Sequence, residues 1–265
     1  MCYDDDATPP VASTGTPVTS GPLTLTSADG TRLAAYLAVP ERPTGAGVVV
    51  IPDNRGLAPF YERLTVRLAE HGHPAIAYDH FGRTAGPSTE GRGGDFPRME
   101  DYAALTRSRQ QDDMTAALGR LRELGGAQVA LGFCMGGRLA FFVSEPRFGL
   151  AGVIGFYGHP GIAGPYGPGP AQHAADLSAP VLGLFGGADE GIPESAVKEF
   201  GDALTTAGVE HEFVVYPGAP HGFFDVRNDE HADACADAWR RVLTFLDRPG
   251  LDRAGLDRAG LDQVG

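Results

Sequence analysis

A cysteine stands between two glycines in the segment Gly132-Phe133-Cys134-Met135-Gly136, where an apolar run gives way to a helical pattern. A thiolate is a strong nucleophile, and the positive end of a helix that begins beneath it favours its negative charge. The small neighbours are what a tight strand-to-helix turn requires. The segment therefore predicts Cys134 as a covalent nucleophile, with a buried structural cysteine as the alternative.

Two further residues, placed after later strand patterns, could complete the chemistry. A nucleophile of this kind needs a base, and the base needs an acid that orients it. One buried strand pattern ends in a glycine turn before Asp189, and the next ends shortly before His221. Ligands of parallel α/β sheets bind at the carboxyl ends of the strands, where both side chains would lie. We predict Asp189 as the acid, with Glu190 as a weaker substitute, and His221 as the base; a turn residue and a surface loop histidine are the alternatives.

These segments resemble the dienelactone hydrolase family of the α/β-hydrolases, and the resemblance covers residues 23–246. The cysteine-bearing elbow at 132–137 is its most specific mark, and the segments 186–189 and 218–221 match next. The resemblance implies the nucleophile, acid and base roles given above. It also implies cleavage of an ester or enol-lactone bond through a thioester acyl-enzyme.

The resemblance assigns roles to further residues around the nucleophile. In the family, a carboxylate after the third strand pairs with the resting cysteine, and Asp53 stands there in place of the founding members' glutamate. The backbone amides of Asn54 and Met135 would form the oxyanion hole. Arg98 corresponds to a residue that holds the substrate carboxylate, and Tyr157 to a tyrosine of the pocket. A loop-capping aspartate, a solvated arginine and an ordinary strand-end aromatic are the alternatives for Asp53, Arg98 and Tyr157.

The chain departs from the founding members shortly after the histidine. Where they carry a second basic residue for the substrate carboxylate, this chain has Asp225, and Arg227 follows two positions later. The departure leaves two alternatives on the same triad, a general carboxylesterase and a hydrolase of another lactone. A non-catalytic binding protein of the same fold is a third.

The elements that must position these residues alternate along the chain. Continuous apolar runs such as 47–52 and 128–133 predict strands buried on both faces, and amphipathic segments such as 111–124 predict helices. The alternation predicts an α/β-hydrolase fold with a mostly parallel central sheet and helices on both faces. A turn at 28–30 between two alternating segments predicts an antiparallel hairpin at the N-terminal edge.

Local composition divides the chain into three parts. Residues 1–20, rich in Pro, Thr, Ser and Asp, predict an irregular N-terminal arm, and residues 21–247 form the hydrolase domain. Residues 248–265 carry a five-residue repeat, Leu-Asp-Arg-Ala-Gly, whose period and glycines oppose both helix and strand. We predict a flexible tail there, with an interaction tail as the alternative.

Composition and charge exclude several classes of protein. A net charge of −13 argues against nucleic acid as a partner, and no apolar stretch approaches the about 18 residues of a membrane span. Three cysteines are too few for a disulfide framework, and no zinc spacing, phosphate loop or dinucleotide fingerprint is present. We therefore expect a cytoplasmic monomer or homodimer that acts on a small-molecule ester or lactone without cofactor or metal.

Overall fold

Within residues 7–92, 96, 98–163, 167–225 and 229–248, which the computed structural model describes, eight strands form one sheet. They are β1 (Val18–Thr26), β2 (Arg32–Pro40), β3 (Gly47–Ile51), β4 (Ala75–Tyr78), β5 (Gln128–Phe133), β6 (Gly152–Phe156), β7 (Val181–Gly186) and β8 (His211–Tyr216). Their order across the sheet is β1-β2-β4-β3-β5-β6-β7-β8. The pairs β1–β2 and β2–β4 are antiparallel and the others parallel. This is the predicted architecture, with the hairpin at the N-terminal edge.

Seven α-helices lie in the same described ranges, between or after the strands. They are α1 (Pro59–Glu70), α2 (Gly82–Ala85), α3 (Arg98–Ala103), α4 (Arg107–Arg122), α5 (Met135–Phe142), α6 (Glu194–Ala207) and α7 (Ala232–Leu246). The bounds of α6 agree with the apolar periodicity of the sequence. Helix α4 begins four residues before the predicted start, because its polar first turn carries no apolar pattern. Thr106 caps it, and its hydroxyl accepts a hydrogen bond from the Arg109 amide at 3.3 Å.

The centre of the sheet is buried on both faces. Every residue of β3, β4, β5, β6 and β7 is buried, as expected for parallel strands covered by helices. Because both faces are apolar, these strands appear in the sequence as continuous runs and not as alternating patterns. The carboxyl ends of β3, β5, β6, β7 and β8 point to one edge of the sheet, where the candidate site lies.

The N-terminal edge differs from the prediction in two respects. Strand β1 begins at Val18, five residues before the predicted start, because an edge strand accepts the glycine and proline that interrupt its pattern. Residues 18–20 of the predicted arm belong to β1, and residues 7–17 contain no helix or strand but are bound to α1. Arg67 donates to the carbonyl of Val11 at 3.1 Å, and the hydroxyl of Ser13 donates to Glu70 at 2.6 Å.

Some predicted features lie outside the described residues. The C-terminal repeat is described only as far as Arg248, so the flexible tail stays a prediction. Arg98 is the first residue of α3, but its side chain lies outside the described part, as does the whole of Arg227. In the ranges that are described, no helix is both long and apolar enough to cross a membrane.

A buried histidine at the end of β4 predicts acid sensitivity. The Nε2 atom of His80 is buried without a hydrogen-bond partner among the described residues. Burial, with Arg92 adding to it and Asp53 opposing it, lowers the pKa of His80 from 6.5 to about 4. The folded protein therefore disfavours the protonated ring. The contribution of His80 to the free energy of unfolding is fully present above the unfolded pKa of 6.5 and is lost as the pH falls toward the folded pKa of about 4.

As the pH falls from about 7 to about 5, we expect the contribution of His80 to lower the free energy of unfolding by about 2 kcal/mol. Urea unfolding of the wild type and of His80→Leu at both pH values measures the effect, since the variant lacks the titrating group. Equal pH dependence in the two proteins would contradict the assignment.

Candidate active site

The backbone at the end of β5 turns sharply and holds Cys134 in a strained conformation. Cys134 has φ 54° and ψ −113°, outside the regions that ordinary side chains prefer, and it directly precedes α5. A Cβ on Gly132 would lie 2.0 Å from the carbonyl oxygen of Gly136, and a Cβ on Gly136 would lie 2.2 Å from that of Ile51. Only glycine permits this approach of α5 to β3 and β5. The turn exposes part of the cysteine and places it at the N-terminus of the helix.

The predicted acid and base meet at the ends of β7 and β8. The carboxylate Oδ2 of Asp189 lies 2.7 Å from Nδ1 of His221, and its Oδ1 accepts from the Gly191 amide at 2.9 Å. The Asp189 side chain is 2% exposed, whereas Glu190 is exposed to solvent. The carboxylate that binds the imidazole is thus Asp189. With Nδ1–H donated to it, Nε2 of His221 is the ring nitrogen left for proton transfer.

The cysteine and the histidine both line one cavity of about 730 Å³. Cys134, Met135, Tyr157 and His221 all line it. Its basic lining consists of Arg107, Arg138, His159, His173 and His221. No carboxylate belongs to the lining among the described residues, although the whole chain carries a net charge of −13. The cavity is therefore positive by comparison with the rest of the protein.

The loop after β3 lies beside the elbow. Strands β3 and β5 are neighbours, and Gly136 packs against the carbonyls of Ile51 and Pro52. Asn54 follows Pro52 by two residues in the same loop. Asn54 and Met135 therefore belong to adjacent segments at one edge of the sheet. The sequence prediction that their amides form an oxyanion hole is compatible with this arrangement.

Asp53, predicted to contact the cysteine, binds Arg55. Its carboxylate accepts from Nε of Arg55 at 3.0 Å and from Nη2 at 2.9 Å. Nη2 of Arg55 also donates to Asp225. The side chains of Arg55 and Asp53 are each 1% exposed, and that of Asp225 is 0% exposed. Burial alone would lower the pKa of Arg55, but Tyr61, Asp53 and Asp225 raise it above its ordinary value. The guanidinium is thus charged and engaged by two carboxylates.

Arg55 directly follows Asn54, the predicted oxyanion-hole residue, and sequence reasoning missed it. Its signal was present: an aspartate stands where the founding members carry a base, and such an inversion calls for a cation elsewhere. Asp225 supplies the carboxylate, and Arg55, two residues after Asp53, supplies the guanidinium.

Tyr157 lies against the base. Its ring centroid is 4.9 Å from that of His221, and its φ of 38° is unusual for a residue other than glycine. Tyr157 also lines the cavity. Beyond it, Nδ1 of His159 accepts from the Gly161 amide at 3.2 Å, which leaves Nε2 as the proton-bearing nitrogen. Burial and the nearby Arg138 lower the pKa of His159, so the ring is neutral.

Two arginines of the cavity wall, also missed from sequence, differ in how their donors are used. Arg138 donates to the carbonyls of His159, Gly161, Gly167 and Pro168 at 2.6–3.0 Å. Arg107, at the start of α4, is exposed, and its guanidinium carbon lies 4.4 Å from the ring centroid of Phe142. No described carboxylate forms an ion pair with Arg107. Its donors are therefore accessible to a ligand in the cavity.

In the part of the chain that the structure describes, no group of three or more histidine, cysteine or carboxylate side chains could hold a metal ion. The site consists of a thiol, an imidazole, carboxylates and guanidinium groups.

Comparison with known proteins gives consistent results. Residues 33–249 match the model of the "Dienelactone hydrolase family". A "putative carboxymethylenebutenolidase" of Yersinia pestis is 31% identical over 244 residues, covering 87% of this chain and 89% of that protein. One of Methylorubrum extorquens is 30% identical over 257 residues, covering 91% and 85%. The crystal structure of a "putative dienelactone hydrolase" from Klebsiella pneumoniae superposes with a TM-score of 0.76 at 28% identity, covering 88% of this chain and 100% of that one.

Proposed function

The chain belongs to the dienelactone hydrolase family, and we propose that it hydrolyses an ester or enol-lactone through a thioester on Cys134. One observation carries the proposal: His221, bound to Asp189 at 2.7 Å, lines the same cavity as the strained cysteine. Family membership supports a hydrolase of the dienelactone hydrolase type. The ester bond and the cysteine mechanism are our extension of it.

The proposed reaction has two halves. The Cys134 thiolate attacks the carbonyl carbon, and a C–S bond forms while the oxygen takes negative charge. The amides of Met135 and Asn54 would stabilise that charge. His221, protonated at Nε2, gives its proton to the leaving oxygen as the C–O bond breaks. Water then attacks the thioester, gives a proton to His221 and releases the acid and the thiolate. The cycle needs only protein groups and water.

Alkylation tests this mechanism directly. Iodoacetamide should abolish ester hydrolysis in proportion to modification of Cys134, with the adduct mapped by mass spectrometry. Activity that survives complete modification of Cys134 would overturn the mechanism, while leaving the fold and family membership intact.

Arg107 supports a substrate with an anionic group. It is the cavity-lining arginine whose donors are accessible, since Arg138 is bound to backbone carbonyls. Arg55 is engaged by Asp53 and Asp225. We propose that Arg107 binds the substrate anion, and that Arg98 remains a second candidate for the same role.

Arg107→Gln should lower kcat/KM for p-nitrophenyl hemisuccinate about tenfold, mainly through KM, because a charge-assisted hydrogen bond is lost. Hydrolysis of the neutral p-nitrophenyl butyrate should change less than about twofold. Arg109→Gln is the matched control, since Arg109 is exposed on the same helix but does not line the cavity. Equal losses on both esters would refute a role in anion recognition and favour a general carboxylesterase.

A further inference from the structure

We propose that Arg55 is a positioning residue, whose guanidinium joins the oxyanion loop after β3 to the loop that carries His221. We call Asp53, Arg55 and Asp225 the Arg55 bridge. The inference rests on the proposed function, because it concerns how the amide of Asn54 and the imidazole of His221 are held relative to Cys134.

The first end of the Arg55 bridge fixes the oxyanion loop. The Asp53 carboxylate accepts from the Arg55 backbone amide at 2.9 Å, which closes a turn around Asn54. The same carboxylate binds the Arg55 side chain, and the Asp53 amide donates to the hydroxyl of Tyr61 at 3.0 Å. The peptide that carries the Asn54 amide is therefore held from both sides.

The second end fixes the histidine loop. Asp225 follows His221 by four residues, and its amide donates to the carbonyl of Gly222 at 3.1 Å. The carboxylate and the imidazole thus belong to one tight turn. Three strands separate β3 from β8 in the sheet, so the two loops do not meet through strand pairing. Nη2 of Arg55 makes the connection by donating to Asp225.

Burial makes this connection rigid. The side chains of the Arg55 bridge are at most 1% exposed, so water does not compete for their hydrogen bonds. Removing one partner leaves the others charged and unsatisfied in the interior, which favours rearrangement of both loops. Displacement of a reacting group by about 1 Å can reduce the rate about a hundredfold.

The chain contains a matched control for this cluster. Arg83 binds Asp113, with Nε–Oδ2 and Nη2–Oδ1 distances of 2.8 and 2.7 Å, and also binds Asp29. The side chains of Arg83 and Asp113 are 5% and 0% exposed. This second cluster also joins one arginine to two aspartates, but it connects neither the loop that carries Asn54 nor the loop that carries His221.

The test compares Asp225→Asn with Asp113→Asn. The folded fraction of each variant is measured by circular dichroism and urea unfolding, and kcat is expressed per folded active site, so that unfolded protein does not enter kcat. In Asp225→Asn we expect kcat per active site to fall about ten- to a hundredfold with KM within about twofold. In Asp113→Asn both constants should stay within about twofold, even if the protein is less stable. The pH midpoint of Cys134 alkylation should shift in the first variant only.

Arg55→Lys provides a second arm that keeps the charge and loses the planar fork. If Asp225→Asn does not fold, the same decrease in kcat and the same shift in alkylation midpoint are expected in Arg55→Lys. The proposal is overturned if the folded variants retain kcat per active site within about twofold. It is equally overturned if Asp113→Asn loses as much as they do. Either result leaves the alkylation test of the cysteine mechanism unaffected.

Discussion

Cys134→Ala should lower kcat/KM for ester hydrolysis by at least about four orders of magnitude, the largest effect expected of any single substitution here. The reason is that covalent catalysis is lost together with the nucleophile, while the oxyanion hole and the cavity can supply only residual acceleration. Stopped-flow or steady-state assays with an activated p-nitrophenyl ester measure the loss. Thermal unfolding checks that the variant is folded, which is expected because the elbow loses only one sulfur atom.

Cys235→Ser is the control for this substitution. Cys235 is buried in α7, burial raises its pKa to about 12, and its Sγ donates to the carbonyl of Phe223. A serine keeps the donor, so activity and inactivation by iodoacetamide should both persist in this variant. A Cys134→Ala protein that retains more than about one per cent of the wild-type rate would exclude the thioester route.

Asp189→Asn should lower kcat by about three to four orders of magnitude with little change in KM. The carboxylate accepts the Nδ1 proton of His221 at 2.7 Å, which fixes the tautomer that leaves Nε2 free to act as base. An asparagine can present its amide group to the ring, and then the opposite tautomer is favoured. Steady-state kinetics measure the loss, and circular dichroism reports whether the fold is retained.

Glu190→Gln is the neighbouring control. Glu190 is exposed and adjacent to Asp189, so its neutralisation changes the local charge without removing the hydrogen bond to His221. We expect its kcat to stay within about twofold of the wild type. A larger loss in Glu190→Gln than in Asp189→Asn would transfer the orienting role to the glutamate.

The central sheet could be predicted because buried strands depend on local patterns, and the same patterns led to the predicted site residues, whose catalytic roles remain predictions. Buried parallel strands leave apolar runs in the sequence, and a strand end locates the loop that follows it, as with Asp189 and His221. The tight turn at Cys134 requires glycine at positions 132 and 136, and these glycines mark the turn in the sequence. The ring contact of Tyr157 with His221 agrees with the pocket position that the family resemblance implied.

Asp225, which stands where the founding members carry a base, indicates that a cation is needed, but its partner Arg55 could not be identified from sequence, because the Arg55 bridge depends on where two distant loops meet. Asp225 and Arg55 are separated by 170 positions in the sequence and by three strands in the sheet. No periodicity connects them, and only the path of the loop after β8 brings them together. The arginines of the cavity wall were missed for a related reason: the residue type of Arg107 or Arg138 does not reveal which of them has its donors occupied.

Arg138 holds part of the cavity wall through contacts that do not depend on the side chains of the residues it binds. Its guanidinium binds main-chain oxygens of His159, Gly161, Gly167 and Pro168, and every amino acid possesses such an oxygen. Exchanging side chains in this stretch, Ala163 for example, need not loosen the anchorage. Substitutions there can therefore change the size or polarity of the cavity without displacing this part of its wall. Substrate preference could change in this way while Cys134 and His221 keep their positions.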